Sequence, residues 1–149
     1  MNYIGLNKYD TANGPGIRVS LFVSGCSLHC KGCFNPESWD FKAGYVLTDE
    51  IKDQIVNEIK QPWIDGFSLL GGDPFEPQFT DTLSALLERI KTETGKSVWC
   101  WTGRKYDKIK DSPLIRYIDV LVDGPFIEHL KCDGQWRGST NQNIIELHK

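Results

Sequence analysis

Cys26, Cys30 and Cys33 are three of the chain's five cysteines, spaced Cys-x3-Cys-x2-Cys directly after the apolar run Val19-Ser20-Leu21-Phe22-Val23. Thiolates packed this closely in a loop are soft ligands suited to a soft metal. Three of them can hold three irons of a 4Fe–4S cluster, which ordinarily takes four cysteines. The fourth iron is then free of protein ligands, and an open metal position is where a small molecule binds and reacts. A competing reading adds His29 to make a Cys3His zinc set. Such sets usually come as two separated pairs, and four ligands within the short stretch Cys26 to Cys33 would strain a tetrahedron. Cys132, between Lys131 and Asp133, reads as an unrelated, exposed thiol, and Cys100 as a buried strand thiol.

A second candidate stretch is Gly71-Gly72-Asp73-Pro74, which follows the short apolar run Phe67-Ser68-Leu69-Leu70. Two glycines without Cβ atoms let the main chain come close to a ligand, and amides and carbonyls exposed there can bind a charged amino-acid moiety. A plain strand-to-helix turn explains the same residues. Asn13-Gly14-Pro15-Gly16 is turn chemistry before the first predicted strand. Thr102 at a strand end suits either a turn or a cofactor contact. Phe34 suits shielding of a metal centre, and Trp39 suits either that role or capping of the core. Trp136 to Gln142 crowds polar donors behind a tryptophan, as a binding loop does.

Taken with Cys26, Cys30 and Cys33, these segments resemble the radical S-adenosylmethionine superfamily. The usual family pattern has an aromatic just before the third cysteine. Here Gly32 occupies that position and Phe34 follows, a departure shared by the branch that activates anaerobic ribonucleotide reductase. Gly71-Gly72-Asp73 is similar to the family's glycine-rich motif, with Asp73 in place of the frequent Glu. The Asn13 to Arg18 segment resembles one found in glycyl-radical activating enzymes, and Asp119-Val120-Leu121-Val122-Asp123-Gly124 and Trp136-Arg137-Gly138-Ser139 resemble further segments of that branch. The resemblance implies a 4Fe–4S cluster on the three cysteines, with S-adenosylmethionine chelated to the bare iron. Gly32, Cys33, Phe34, Gly71, Gly72 and Asp73 would contact that cofactor. The implied reaction is a reductive carbon–sulfur cleavage that yields a 5′-deoxyadenosyl radical, which takes a hydrogen atom from a glycine Cα. No acid–base residue is called for, because the cofactor carries the hard chemistry. Implied partners are anaerobic ribonucleoside-triphosphate reductase and a flavodoxin-like electron donor, and a homodimer is compatible with the sequence. Within the family the rival is an activator of another glycyl-radical enzyme, such as pyruvate formate-lyase. From another class the rival is a non-catalytic zinc-binding interaction module.

The elements that must position these residues follow from periodicity. Strands are expected at 18–24, 67–70, 98–101 and 119–122, with an edge strand at 144–147. Ile51, Ile55, Val56 and Ile59 share one face of a helix from Thr48 to Lys60, with Thr48 as N-cap. Phe79, Leu83, Leu86, Leu87 and Ile90 stripe a second helix, from Gln78 to Thr94, closed by Gly95. A short helix is expected after Ser112. Alternating strands and helices imply an α/β fold with a mostly parallel sheet and right-handed crossovers. Every candidate motif from Cys26 onward follows a strand's C-terminal end, where such sheets place their sites. A complete barrel needs about 250 residues, so 149 predict a single domain (1–149) forming a partial, open (β/α) barrel, with its cluster loop at 25–39.

Composition narrows the classes further. A formal net charge of −3 offers no basic footprint for nucleic acid. No apolar run is long enough to span a membrane. Met1-Asn2-Tyr3-Ile4-Gly5 lacks a signal peptide's basic and apolar regions. Clustered, odd-numbered cysteines fit a reducing cytoplasm better than a disulfide framework.

Overall fold

The computed structural model describes the chain apart from Lys31, Phe34, Asn35, Gln135 and Lys149, and the side chain of Glu37. The elements run β1 (Asn2–Asp10), β2 (Arg18–Val23), β3 (Tyr45–Val46), α1 (Asp49–Ile59), β4 (Gly66–Gly71), α2 (Thr80–Thr94), β5 (Ser97–Trp101), α3 (Tyr106–Ile109), β6 (Val120–Asp123) and β7 (Asn143–Glu146), with short 3-10 turns between some of them. Thr48 caps α1 as expected, its hydroxyl accepting from the Ile51 amide. Gly95 ends α2 in the left-handed conformation. The helix expected after Ser112 is a 3-10 turn, Pro113–Tyr117, capped by that serine.

All seven strands form one open sheet in the order β3-β1-β2-β4-β5-β6-β7. Its centre, β2-β4-β5-β6, is parallel. The flanks are antiparallel: β1 lies between β2 and β3, and β7 runs back along β6. The sheet does not close on itself, since β3 and β7 are its two ends. The N-terminal strand β1 was not expected from the sequence. Asn2, Gly5, Asn7 and Asp10 weaken its β-propensity, and its pairing with β2 carries two irregularities.

The central strands follow one another in space as in sequence, without a reversal. Right-handed crossovers in a constant direction put every helix on the same face, and α1 and α2 pack together there. Strand alternation sorts the side chains. Val19, Leu21, Val23, Phe67, Leu69, Val98, Cys100 and Leu121 face the helices and form the core with Ile55, Ile59, Leu83, Leu87 and Ile90. The opposite face carries Arg18, Ser20, Phe22, Ser68, Leu70, Trp99 and Trp101, in register across β2, β4 and β5.

On that face the segment after β1 folds over the N-terminal half of the strands. Arg18 is 1% exposed. Its guanidinium donates to Ser68 Oγ at 2.8 Å and to the carbonyls of Pro15, Phe67 and Ser97 at 3.2, 3.0 and 2.9 Å. Ser68 Oγ donates to the Asn13 carbonyl at 2.7 Å. Asp10 accepts from the Ser20 hydroxyl, the Asn13 carboxamide and the Ala12 amide. Arg18 therefore fastens the Asn13-Gly14-Pro15-Gly16 turn beneath the site.

Candidate functional site

The inner face opens into a cavity of about 790 Å3 at the C-terminal ends of the parallel strands. That volume is within the range of sites for drug-sized ligands. Cys26, Cys30 and Cys33 line it together with Gly71, Gly72 and Thr102. Asn13 lines it too, and Phe22, Leu70 and Trp101 of the inner face contribute to its walls.

The cysteine loop is tied down at its start. Ser24 N donates to Asn2 O at 3.1 Å, Gly25 N to Ser38 O at 2.7 Å, and Cys26 N to Trp39 O at 3.3 Å. Gly25 has φ +122°, and a Cβ there would lie 2.2 Å from the Phe41 ring, so only glycine fits. Burial pushes the Cys26 thiol up, opposed by hydrogen bonds from the Leu28 and His29 amides, while the charges of Asp73 and Glu76 push it further up. His29 has φ +48° and stacks on Trp39 with ring centroids 4.4 Å apart.

Gly71 and Gly72 make their close approach to the protein itself. A Cβ on Gly71 would sit 2.4 Å from Val23 N, and one on Gly72 2.3 Å from Gly25 O. The Gly72 amide donates to Val23 O and the Asp73 amide to Gly25 O, at 2.7 and 2.8 Å. The glycine turn is thus packed against the root of the cysteine loop. The Asp73 side chain is fully buried. Its carboxylate accepts from Thr102 Oγ1, Gly103 N and Phe75 N, and lies 3.1 Å from Arg104 Nη1. Burial pushes this carboxyl up, and the hydrogen bonds and the Arg104 charge offset that only in part.

Residues 124–142 build the opposite wall. Gln142 accepts from the Gly138 and Ser139 amides and donates to Gly124 O. Arg137 donates to the carbonyls of Thr140 and Gln142. Trp136, at φ +57°, meets Trp99 edge-on at 5.2 Å, and its carbonyl accepts from Trp101 Nε1 at 2.7 Å. Ser139, Asn141 and Gln142 bond main-chain groups of the same loop, and the half-exposed Trp136 ring lines the cavity. Cys132 also lines the cavity and is partly buried, with its thiol 3.6 Å from Arg137 O. The expectation of an exposed thiol is corrected: Cys132 is partly buried.

Residues 12–145 match the family model described as a 4Fe-4S single cluster domain. Anaerobic ribonucleoside-triphosphate reductase-activating proteins of Haemophilus influenzae and Vibrio cholerae are 44% and 45% identical to the chain, over 97% of it and 97% of each relative. The protein of that name from Enterobacteria phage T4 is 37% identical over 97% of the chain and 93% of its own length. The chain belongs to the anaerobic ribonucleoside-triphosphate reductase-activating proteins.

The donor set in this activating-protein family member fits an iron–sulfur cluster. Cys26, Cys30 and Cys33 line one cavity, and a cluster offers a separate iron to each thiol. The Trp39 indole N–H is buried without a partner among the described residues, while Trp39 lines the same cavity. Among the described residues no three His, Cys, Asp or Glu side chains converge as ligands of one ion. The Cys3His zinc reading requires such convergence.

Other expectations fall differently. Gly32, at φ +73°, faces the Glu128 side chain, which a Cβ would meet at 2.7 Å, and it does not line the cavity. Phe34, expected beside the cofactor, lies outside the described residues. The sequence reading missed a polar cluster joining three loops of the activating-protein fold. Glu76 Oε2 accepts from Ser27 N, Ser27 Oγ and Arg104 Nη2, each at 2.9 Å. Burial pushes the Glu76 carboxyl up, but these donors outweigh it and hold the group below the usual carboxylate range. Ser27, Glu76 and Arg104 are common residues far apart in sequence, and no spacing signal connects them.

Proposed function

We propose that the chain is the activase of an anaerobic ribonucleoside-triphosphate reductase, with Cys26, Cys30 and Cys33 each bound to an iron of one 4Fe–4S cluster and S-adenosylmethionine on the remaining iron. The single observation that carries this reading is the gathering of the three thiols on a cavity whose other walls come from the glycine turn, Thr102 and the inner sheet face. The names of relatives spanning almost the full chain support the choice of partner. When bound, the two groups would supply one-electron reductive cleavage of the sulfonium carbon–sulfur bond and, through it, hydrogen-atom abstraction from a glycine Cα of the reductase.

The chain's own contribution is placement and exclusion of water. Gly71 and Gly72 keep the cysteine loop against the end of β4. Asp73 acts through Thr102 and Gly103 and keeps the neighbouring loop in position. Main-chain groups near Gly72 and Cys33 hold the amino and carboxylate ends of S-adenosylmethionine. Trp39 and Trp136 shelter the cavity. The open sheet, read as a partial barrel, leaves a side entrance for a peptide segment of the partner. Placement of this kind matters because an error of about one ångström costs on the order of 100-fold in rate. A flavodoxin-like donor in a reducing cytoplasm completes the scheme.

The test is anaerobic incubation with reductant, S-adenosylmethionine and a candidate reductase, followed by electron paramagnetic resonance. A glycyl doublet on the reductase is expected, along with 5′-deoxyadenosine and methionine. Brown protein that cleaves no S-adenosylmethionine under these conditions would overturn the proposal. A doublet only on another glycyl-radical enzyme, such as pyruvate formate-lyase, would reassign the partner.

A further inference from the structure

We propose that Glu76 and Arg104 are positioning residues for the cluster loop, locking the turn after Cys26 to the loops that follow β4 and β5. The inference rests on the reading that Cys26 is a cluster ligand. Glu76 is 3% exposed and reaches the turn through one oxygen, which receives the Ser27 amide, the Ser27 hydroxyl and the Arg104 guanidinium. Arg104 Nη2 also donates to Ser27 Oγ at 3.3 Å, and Nη1 lies 3.1 Å from Asp73 Oδ2. One guanidinium thus joins two carboxylates of the loop after β4 while touching the cysteine loop.

A buried ion pair of this kind adds little net stability compared with apolar residues of similar volume. What it adds here is direction. Charge-assisted hydrogen bonds are short and geometrically demanding, and this one fixes the amide of the residue next to Cys26. Ser27 directly follows Cys26, so holding its amide and hydroxyl fixes the direction in which the chain leaves the sulfur-bearing residue. The clamp therefore acts on Cys26 through the turn, which Glu76 and Arg104 hold from the outside. Outer partners that orient a metal's ligands typically change metal affinity or activity about 10- to 100-fold when removed. The two carboxylates, set against one guanidinium, also set the local charge, on which a cluster's reduction potential depends.

The experiment uses anaerobically reconstituted full-length protein and measures iron release to a chelator, with the reduction potential as a second readout. Glu76→Gln and Arg104→Met should each release iron about 10-fold faster than wild type. Their potentials should move in opposite directions, Glu76→Gln upward and Arg104→Met downward, because one removes a negative and the other a positive charge. Arg104→Lys should restore part of the wild-type retention. Arg104→Met leaves two carboxylates without their cation and risks misfolding, so Glu76→Leu/Arg104→Met is the companion variant. It leaves only Asp73 without the cation, still held by Thr102, Gly103 and Phe75, and should melt above Arg104→Met yet lose iron faster than wild type. A double variant that folds and retains iron at the wild-type rate overturns the clamp while leaving the cluster assignment intact. Wild-type protein that takes up no cluster removes both.

Discussion

A Cβ placed on Gly72 would lie 2.3 Å from the carbonyl oxygen of Gly25. Two loops, each next to a residue implicated in chemistry, thus touch main chain to main chain. Neither backbone can withdraw easily, because the Asp73 amide donates to that same oxygen at 2.8 Å. Gly72→Ala should cost about 1–3 kcal/mol, as overpacked sites do, and should slow cluster uptake. Urea denaturation and the growth of iron–sulfur absorbance during reconstitution check the two effects. Wild-type values in both would show that the loops part without cost.

The thiols can be separated by substitution. Cys26→Ala should abolish cluster assembly, leaving iron near background after reconstitution. Cys132→Ala should retain the wild-type iron and sulfide content, although Cys132 lines the same cavity. Iron loss in the latter would make Cys132 a ligand and leave no iron bare.

Arg18 offers a test of the floor. Its guanidinium serves Ser68 and three carbonyls while almost fully buried. Arg18→Leu leaves those acceptors without donors, and each buried unmet group costs about 1–3 kcal/mol. A loss of at least about 3 kcal/mol in urea denaturation is expected, together with new proteolytic cleavage within 11–17. A variant as stable and as protease-resistant as wild type would contradict the anchoring role.

Asp10 makes stability depend on acidity. Burial raises its carboxyl, but hydrogen bonds from Ser20, Asn13 and main-chain amides outweigh that and hold it below the ordinary value. A carboxyl depressed on folding stabilises the protein above its unfolded value of about 3.9, and that stability fades as pH falls through the folded value. Asp10→Asn should therefore be less stable than wild type at neutral pH. The gap, followed by thermal melts, should narrow below about pH 4. A gap independent of pH would mean that the charge is not what stabilises.

Much of this architecture is legible in the residues themselves. β2, β4, β5 and β6 are apolar runs bounded by turn residues, and α1 and α2 carry apolar stripes with caps at Thr48 and Gly95. Their alternation fixes a parallel centre. β1 escaped because its residues are mediocre strand formers and its partner β2 stabilises it through pairing. The three cysteines stand out because few structural roles need that spacing. The clamp of Ser27, Glu76 and Arg104 does not, since each is ordinary alone and only the fold brings them together. Arg137 and Gln142 also bond main-chain atoms of their own loop, and periodicity says nothing about where those atoms lie.

Several hydrogen bonds of the wall from Gly124 to Gln142 run among its own residues, and Trp136 and the Gly124 amide tie it to β5 and the loop that follows it. Such a segment behaves as a cassette. Exchanging it would change the shape shown to an incoming polypeptide, and Glu128, packed on Gly32, is where that change would reach the cysteine loop. On the proposed function, recognition and radical generation would rest on separate stretches of one small chain.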